Sequence, residues 1–145
     1  MDKKDKTTIL MDEAVAVGLD GTELFAQLSF DEICAAYNGI GPEFLPQAIR
    51  EKVTDWLALF EPAALIHDIR YTLSDGYRYG WNFANVELRY NCLRLANRAY
   101  PWYSWRRYRA RQVAHILYRF VASAAGWKAW TEAADKNTQK KGIKA

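Results

Sequence analysis

The sequence has few cysteines, and this limits the classes of protein that it can encode. Among its 145 residues only Cys34 and Cys92 could form a disulfide. Small secreted domains usually depend on several disulfides, whereas a reducing cytoplasm keeps cysteines free. We therefore expect a cytoplasmic protein. The sequence leaves open whether the two cysteines pair.

Long apolar runs are also missing. No stretch reaches the roughly 20 apolar residues that a membrane-spanning helix needs. The apolar run after the N-terminal lysines is broken by Asp12 and Glu13 before it resembles the core of a signal peptide. Two isolated histidines and two distant cysteines form no recognisable zinc ligand set. We expect no signal peptide, no transmembrane segment and no zinc enzyme.

Strand signals are sparse, whereas helix signals recur along the chain. Ser29 and Glu32 match a capping box, Pro46 and Pro62 suit first helical turns, and Ser104 can cap a last helix. The predicted helices cover roughly residues 29–36, 46–60, 62–73, 81–98 and 104–125, with Gly126 ending the last one. We predict an all-α domain over 29–130, an irregular N-terminal arm over 1–28 and a flexible charged tail over 131–145.

The predicted helix over 81–98 has a clear apolar side. Trp81, Ala84, Leu88, Cys92 and Leu95 recur at helical spacing, and Asn85 lies beside them. We expect Glu87, Asn91, Arg94 and Arg98 on the wet side. A buried amide at Asn85 would need a specific partner, either His67 or a backbone carbonyl.

Charge is divided strongly along the chain. Residues 1–87 carry 7 basic and 15 acidic residues, whereas residues 88–131 carry nine basic residues and no acidic one. Arg106, Arg107, Arg109 and Arg111 follow Trp102, Tyr103 and Trp105. This cluster could lie at an anionic membrane, bind nucleic acid or an acidic protein, or simply be packed rings with a solvated arginine face.

The stretch from Phe60 to Tyr71 carries the residues best suited to catalysis. His67 and Tyr71 are four residues apart and share a helix face, and Asp68 follows His67 directly. Imidazole can accept a proton from water near neutral pH, and a neighbouring carboxylate can hold a hard cation. A His-Asp pair also occurs often by chance, so it needs a second element.

That second element is the loop that begins at Tyr37. Gly39 and Gly41 alternate with other residues and precede Pro42, which allows a tight turn with carbonyls facing inwards. Such a turn suits calcium, which takes oxygen ligands that include main-chain carbonyls. The simpler interpretation is a Gly-Pro loop between two helices.

Together, Tyr37-x-Gly39-x-Gly41 and His67-Asp68-x-x-Tyr71 resemble the phospholipase A2 superfamily, in its disulfide-poor bacterial and phage-type form. The resemblance covers roughly residues 29–92. It implies two antiparallel helices with a glycine-rich calcium loop, extended here by a C-terminal helix. It also implies that His67 activates water, that Tyr71 braces the site, and that Asp68 binds calcium with the carbonyls of Tyr37, Gly39 and Gly41. The implied activity is calcium-dependent hydrolysis of phospholipid acyl esters.

One position departs from the family pattern. Asn85 stands where the family has an aspartate that accepts a hydrogen bond from the histidine. The amide can accept that bond, but it brings no negative charge to stabilise an imidazolium. The alternative is therefore a degenerate phospholipase A2-like phage or prophage protein with a structural or binding role, whose basic helix contacts an acidic partner.

Overall fold

The computed structural model describes residues 1–38 and 46–144. Within these residues the chain forms eight α-helices and a short 3-10 helix, Thr54–Trp56, with no strand. The predicted all-α class is therefore confirmed. The α-helices are α1 (Lys3–Val17), α2 (Leu24–Gln27), α3 (Phe30–Ala36), α4 (Gln47–Val53), α5 (Leu57–Thr72), α6 (Arg78–Ala99), α7 (Trp105–Val121) and α8 (Ala124–Lys144).

Helices α5 and α6 form an antiparallel pair at the centre of the fold. Tyr71 contacts Trp81 near the turn that joins them, and His67 contacts Asn85 further along both helices. Packing against this pair are α7 on the α6 side and α1, α3 and α8 on the α5 side. Phe60, Ile66 and Ile69 on α5 are almost completely buried, so α5 is the central helix of the core.

The N-terminal segment is not the irregular arm that we predicted. Helix α1 begins after Asp2, whose side chain accepts a hydrogen bond from the backbone of Asp5, and it ends at Gly18 in the left-handed conformation (φ 75°). Its buried face is narrow and consists of Thr7, Leu10 and Ala14. Such a short stripe of small residues gives little periodic signal in the sequence, and its burial depends on packing against α5.

The segment predicted as a flexible tail, over 131–145, forms most of a helix in the structure. Helix α8 runs through Gly126, the residue predicted to end the preceding helix, and buries Trp130 and Ala134. A side chain at Gly126 would overlap the carbonyl oxygen of Val121 at the end of α7. Glycine at this position therefore allows the first turn of α8 to pack closely against α7, rather than stopping a helix.

The middle helices begin at different residues from those predicted. Pro62 lies inside α5 rather than in its first turn, because the helix already begins at Leu57 after the 3-10 segment. Proline removes one helical hydrogen bond. The complete burial of Pro62 in the core offsets this cost.

Two residues predicted on the solvent-exposed side of α6 are in fact buried. Each is bonded to a partner that is distant in the sequence. Glu87 pairs with Arg70 of α5 through two contacts of 3.0 Å. The Asn91 side chain bonds both the N–H and the carbonyl of Asp20, each at 2.9 Å. These bonds attach the segment after α1 to α6. The cysteines, Cys34 and Cys92, are both buried and unpaired with each other.

No helix in the described part of the chain is long and apolar enough to cross a bilayer.

Candidate active site

His67 lies on the buried side of α5, facing α6. Its side chain is nearly buried, at 9% exposed, and its ring lies 4.4 Å from that of Tyr71 one helical turn later. The apolar sequence around it, from Pro62 to Ile69, explains the burial, because this stretch also forms the centre of the core. The two residues predicted to share a face of this helix therefore do so.

Asn85 joins the two helices at this point. Its side-chain oxygen, Oδ1, lies 2.9 Å from His67 Nε2 and 3.0 Å from the Tyr71 hydroxyl. Its Nδ2 donates to the backbone carbonyl of Val121 at 3.2 Å. The hydrogen bond that the sequence predicted between His67 and Asn85 is present, and the predicted alternative, a backbone carbonyl, is satisfied at the same time.

This network determines which nitrogen of His67 carries the proton. A carbonyl oxygen cannot donate, so the nitrogen of the Asn85 amide must face Val121 and its oxygen must face His67. The oxygen can only accept, and Nε2 is therefore protonated. Nδ1 consequently has a lone pair, and the described residues offer it no hydrogen-bond partner. This is the tautomer that a base acting through Nδ1 requires.

Burial has large effects on both ionisable groups. It lowers the pKa of His67 to about 4, opposed by the hydrogen bond to Asn85. It raises the pKa of Tyr71 to about 12, opposed by hydrogen bonds to Trp81 and Asn85. Imidazole is therefore neutral at pH 7, with a lone pair on Nδ1 but weak basicity, while the phenol keeps its proton.

Two contributors to this network were not predicted from the sequence. Trp81 Nε1 donates to the Tyr71 hydroxyl at 3.1 Å, which leaves that hydroxyl free to donate to Asn85. The position of Trp81, four residues before Asn85, predicted that the two residues share a face of α6. It did not predict the hydrogen bond from the indole N–H. The carbonyl of Val121 contributes through the backbone, so no side-chain pattern could indicate it.

Asp68 lies on the side of α5 that meets the start of the glycine loop. Its Oδ2 accepts a hydrogen bond from the backbone N–H of Asn38 at 2.9 Å. Tyr37, the first residue of the loop motif, ends α3 and is buried. The structure thus brings Asp68 to the start of the loop. Gly39 and Gly41, predicted to supply carbonyl ligands, lie outside the described residues.

The oxygen atoms near Asp68 supply only part of the ligand set that calcium needs. Carboxylate and main-chain oxygens are the ligands that calcium prefers, and calcium takes six to eight of them, so about five or more would come from elsewhere. Among the described residues no group of three or more His, Cys, Asp or Glu side chains could hold a metal. Carbonyls of the glycine loop are the further ligands that the loop motif predicts for Asp68.

A cavity of about 520 Å³ lies beside His67, Asp68 and Tyr71. Its apolar wall includes Leu88 of α6 and Leu117, Phe120 and Val121 of α7. Helix α8 also lines the cavity, with Ala133 and Asn137 and with a rim of exposed charged residues, Glu132, Lys136 and Lys140. The site therefore opens into a cavity that is apolar along α6 and α7 and carries two amines and one carboxylate at its rim. The sequence did not predict this rim, because residues 131–145 were expected to form a flexible tail.

The aromatic and basic residues at the start of α7 lie elsewhere. Trp102, Tyr103 and Trp105 are 82%, 75% and 68% exposed, so they lie outside the core, although the rings of Trp102 and Tyr103 meet edge to face with centroids 5.7 Å apart. Trp105 and the cavity residue Phe120 are 15 residues apart, about 22 Å along α7. The aromatic cluster is therefore not the rim of the cavity.

No family model matches this chain, and searches of curated proteins and of solved structures find no match either. A function is therefore inferred from the geometry of the described residues.

Proposed function

We propose that this protein is a calcium-dependent hydrolase of lipid acyl esters, with a site like that of the phospholipase A2 superfamily. The observation that carries the proposal is the hydrogen bond of 2.9 Å from His67 Nε2 to Asn85 Oδ1, with Asn85 held by Val121. This arrangement leaves Nδ1 as a proton acceptor beside an apolar cavity. A histidine that merely filled the core would also need a hydrogen-bond partner, but it would not need a neighbouring cavity.

In the proposed reaction, His67 Nδ1 takes a proton from a water molecule in the cavity. The resulting hydroxide adds to the carbonyl carbon of the ester, and collapse of the adduct releases the fatty acid. The alcohol leaves with the proton returned by His67. Tyr71 and Asn85 act as positioning residues, because they hold the imidazole without contacting the reacting atoms.

Calcium would be held by Asp68 and by carbonyls of Tyr37, Gly39 and Gly41. When bound, it would polarise the ester carbonyl and stabilise the negative charge that develops on oxygen. Asp68 is suited to this role because the Asn38 N–H holds its carboxylate at the start of the loop.

The shape and chemistry of the cavity favour a lipid substrate. Its apolar wall, formed by Leu88, Leu117 and Phe120, can cover an acyl chain, and burial of each methylene contributes about 0.8 kcal/mol. Lys136 and Lys140 at the rim could bind the phosphate of a headgroup. The phospholipid surface would then meet the α8 side of the protein.

A second candidate follows from the neutral side chain at Asn85. The site lacks a carboxylate against the imidazole, so the imidazolium formed during the reaction is poorly stabilised. The second candidate is a structural or binding protein that keeps the fold and calcium loop without turnover.

Calcium binding and fatty-acid release should be measured on the same preparations. We expect calorimetry to detect calcium binding in the unmodified protein and in Asp12→Asn, a matched change at an exposed site on α1. Asp68→Asn should abolish it. Release from phosphatidylcholine vesicles containing phosphatidylglycerol should require calcium and should fall by about 100-fold or more in His67→Gln, because a general base contributes roughly 10²–10⁴-fold.

The outcomes separate the two candidates. Calcium binding that requires Asp68, without release of fatty acid, would favour the non-catalytic protein. Absence of calcium binding in the folded protein would contradict both the metal site and the hydrolase.

A further inference from the structure

A line of basic side chains runs along the outer side of α7, separate from the candidate active site. Arg107, Arg111, His115 and Arg119 follow one another at intervals of four residues and therefore share one side of the helix. Arg89 of α6 lies beside them, with its guanidinium 4.2 Å from the ring of Tyr118. We call these five residues the basic stripe. It extends for about 18 Å, the length of twelve residues of α-helix.

The positive charge of the basic stripe is not neutralised within the described part of the chain. Arg107 and Arg111 both donate to the amide oxygen of Asn97, at 2.9 and 2.8 Å, rather than to a carboxylate. None of the four arginines forms an ion pair among residues 1–38 and 46–144. The stripe therefore concentrates charge that an anionic partner could neutralise.

His115 responds to this concentration of charge. Its pKa is lowered, first by partial burial and then by the positive charges of Arg89, Arg111 and Arg119. The side chain is nevertheless exposed. Arg89, Arg111 and Arg119 are therefore all close enough to His115 to disfavour a positive charge there.

Exposed aromatic rings accompany the cations. Tyr108, 66% exposed, lies three residues before Arg111 on the same side of α7. Tyr90, 53% exposed, lies 5.6 Å from the guanidinium of Arg89. Exposed rings beside a line of arginines suit a chain of phosphates that also carries planar bases, because aromatic rings stack on bases while cations bind the backbone.

The part of the basic stripe that is level with the cavity faces away from it. His115 and Arg119 are each two residues from Leu117, which lines the cavity, and so lie about 160° from it around α7. A bilayer bound to the stripe could not also cover the cavity next to His67. The stripe therefore does not serve as the membrane surface of the proposed hydrolase.

We propose that the basic stripe binds single-stranded nucleic acid, with Arg89, Arg107, Arg111 and Arg119 on the phosphates and Tyr108 stacked on a base. The binding is independent of sequence, because it uses phosphates and ring faces rather than base edges. It is also independent of the hydrolytic site, so either function can fail without the other.

Fluorescence anisotropy with a labelled oligothymidylate of about 16 nucleotides tests this proposal, since such a length covers the site sizes of known single-strand binders. Four phosphate contacts predict that log Kd rises with log salt concentration with a slope of about 3, or about 0.7 per contact. The pair of substitutions Arg111→Gln and Arg119→Gln should lower that slope by about 1.4 and weaken binding roughly 25-fold at 0.1 M salt.

Matched controls separate a specific surface from general charge. The double substitution Lys3→Gln and Lys4→Gln removes the same charge from exposed positions on α1. It should change Kd less than about threefold, because salt screens charges that lie far from the bound strand. Tyr108→Ala should weaken binding at least about fivefold. Tyr79→Ala, which removes an even more exposed ring from α6, should not weaken binding.

Several results would overturn the proposal. These are no binding at low salt, equal losses in the stripe and α1 variants, or tighter binding to duplex DNA than to the single strand. Stripe-dependent binding of phosphatidylserine vesicles, without binding of the oligonucleotide, would assign the surface to membranes instead. Variants should be compared only where circular dichroism shows unchanged helix content.

Discussion

Asn85 gives His67 its orientation but no charge. The amide accepts from both Nε2 of His67 and the Tyr71 hydroxyl, and Val121 prevents it from turning over. A carboxylate at this position would accept the same two bonds and would also attract a proton to the imidazole. An amide at position 85 therefore positions His67, whereas a carboxylate would both position it and stabilise its protonated form.

Asn85→Asp should raise the pKa of His67 from about 4 towards or above its ordinary value, because a negative charge stabilises the imidazolium. If the protein is a hydrolase, its rate should also rise, by at least about tenfold, since a carboxylate paired with histidine contributes more than this in hydrolytic sites. NMR titration of the imidazole resonances measures the pKa, with the exposed His115 as internal reference.

Asn91→Asp is the matched control for this substitution. It places the same carboxylate at a buried position of α6, where the side chain bonds Asp20 rather than a histidine. The pKa of His67 should be unchanged in this variant. An unchanged pKa in Asn85→Asp as well would contradict the assigned contact between the two side chains.

At the scale of elements, α8 forms both a wall of the cavity and a support for the turn between α5 and α6. Ser74 donates to the carbonyl of Trp130 at 2.7 Å, and the Trp130 indole donates to the carbonyl of Tyr77 at 3.0 Å. Asn137 donates to the carbonyls of Thr72 and Ser74, which the end of α5 leaves without helical partners. Helix α8 thus caps the helix that carries His67.

Trp130→Ala should destabilise the protein by roughly 3–5 kcal/mol, the usual cost of deleting a buried tryptophan side chain. The ring is 3% exposed and packs edge-on against Tyr71 at 5.1 Å, so its loss leaves a void next to the site. Urea unfolding followed by circular dichroism measures the change. Trp102→Ala, at an 82% exposed position, should stay within about 0.5 kcal/mol of the unmodified protein. Equal effects of the two substitutions would contradict the docking of α8.

At the scale of the whole molecule, local signals in the sequence predicted much of the fold. The capping box of Ser29 and Glu32 and the cap at Ser104 both start helices where expected, because their hydrogen bonds involve only neighbouring residues. The spacing within α6 likewise predicted that Asn85 lies beside the apolar face, whereas its pairing with His67 was predicted from the family resemblance.

Features that depend on distant residues could not be predicted in this way. Gly126 appeared to end a helix, and its close approach to Val121 is visible only once α7 and α8 are packed. Glu87 appeared solvated because its partner, Arg70, belongs to another helix. The roles of Gly39 and Gly41 stay predictions, since both lie outside the described residues.

The buried histidine also couples stability to pH. The pKa of His67 is about 4 in the folded protein and about 6.5 when the chain is unfolded. Between these values the unfolded state binds the extra proton and the folded state does not. Proton binding therefore favours unfolding. The stabilisation that comes from keeping His67 neutral is fully present above about pH 6.5 and is lost as the pH falls towards 4.

Each pKa unit corresponds to about 1.4 kcal/mol, so this loss amounts to roughly 3 kcal/mol between pH 7 and pH 4. The comparison to make is the free energy of unfolding of the unmodified protein minus that of His67→Gln, measured in urea across this range. Other titrating groups act equally in both proteins and cancel in the difference. The difference should fall by roughly 3 kcal/mol on acidification. His115→Gln, at an exposed position, should give a much flatter difference. A flat difference for His67→Gln would mean that the imidazole reaches solvent in the folded state. The assignment of His67 as a neutral, buried base would then be wrong.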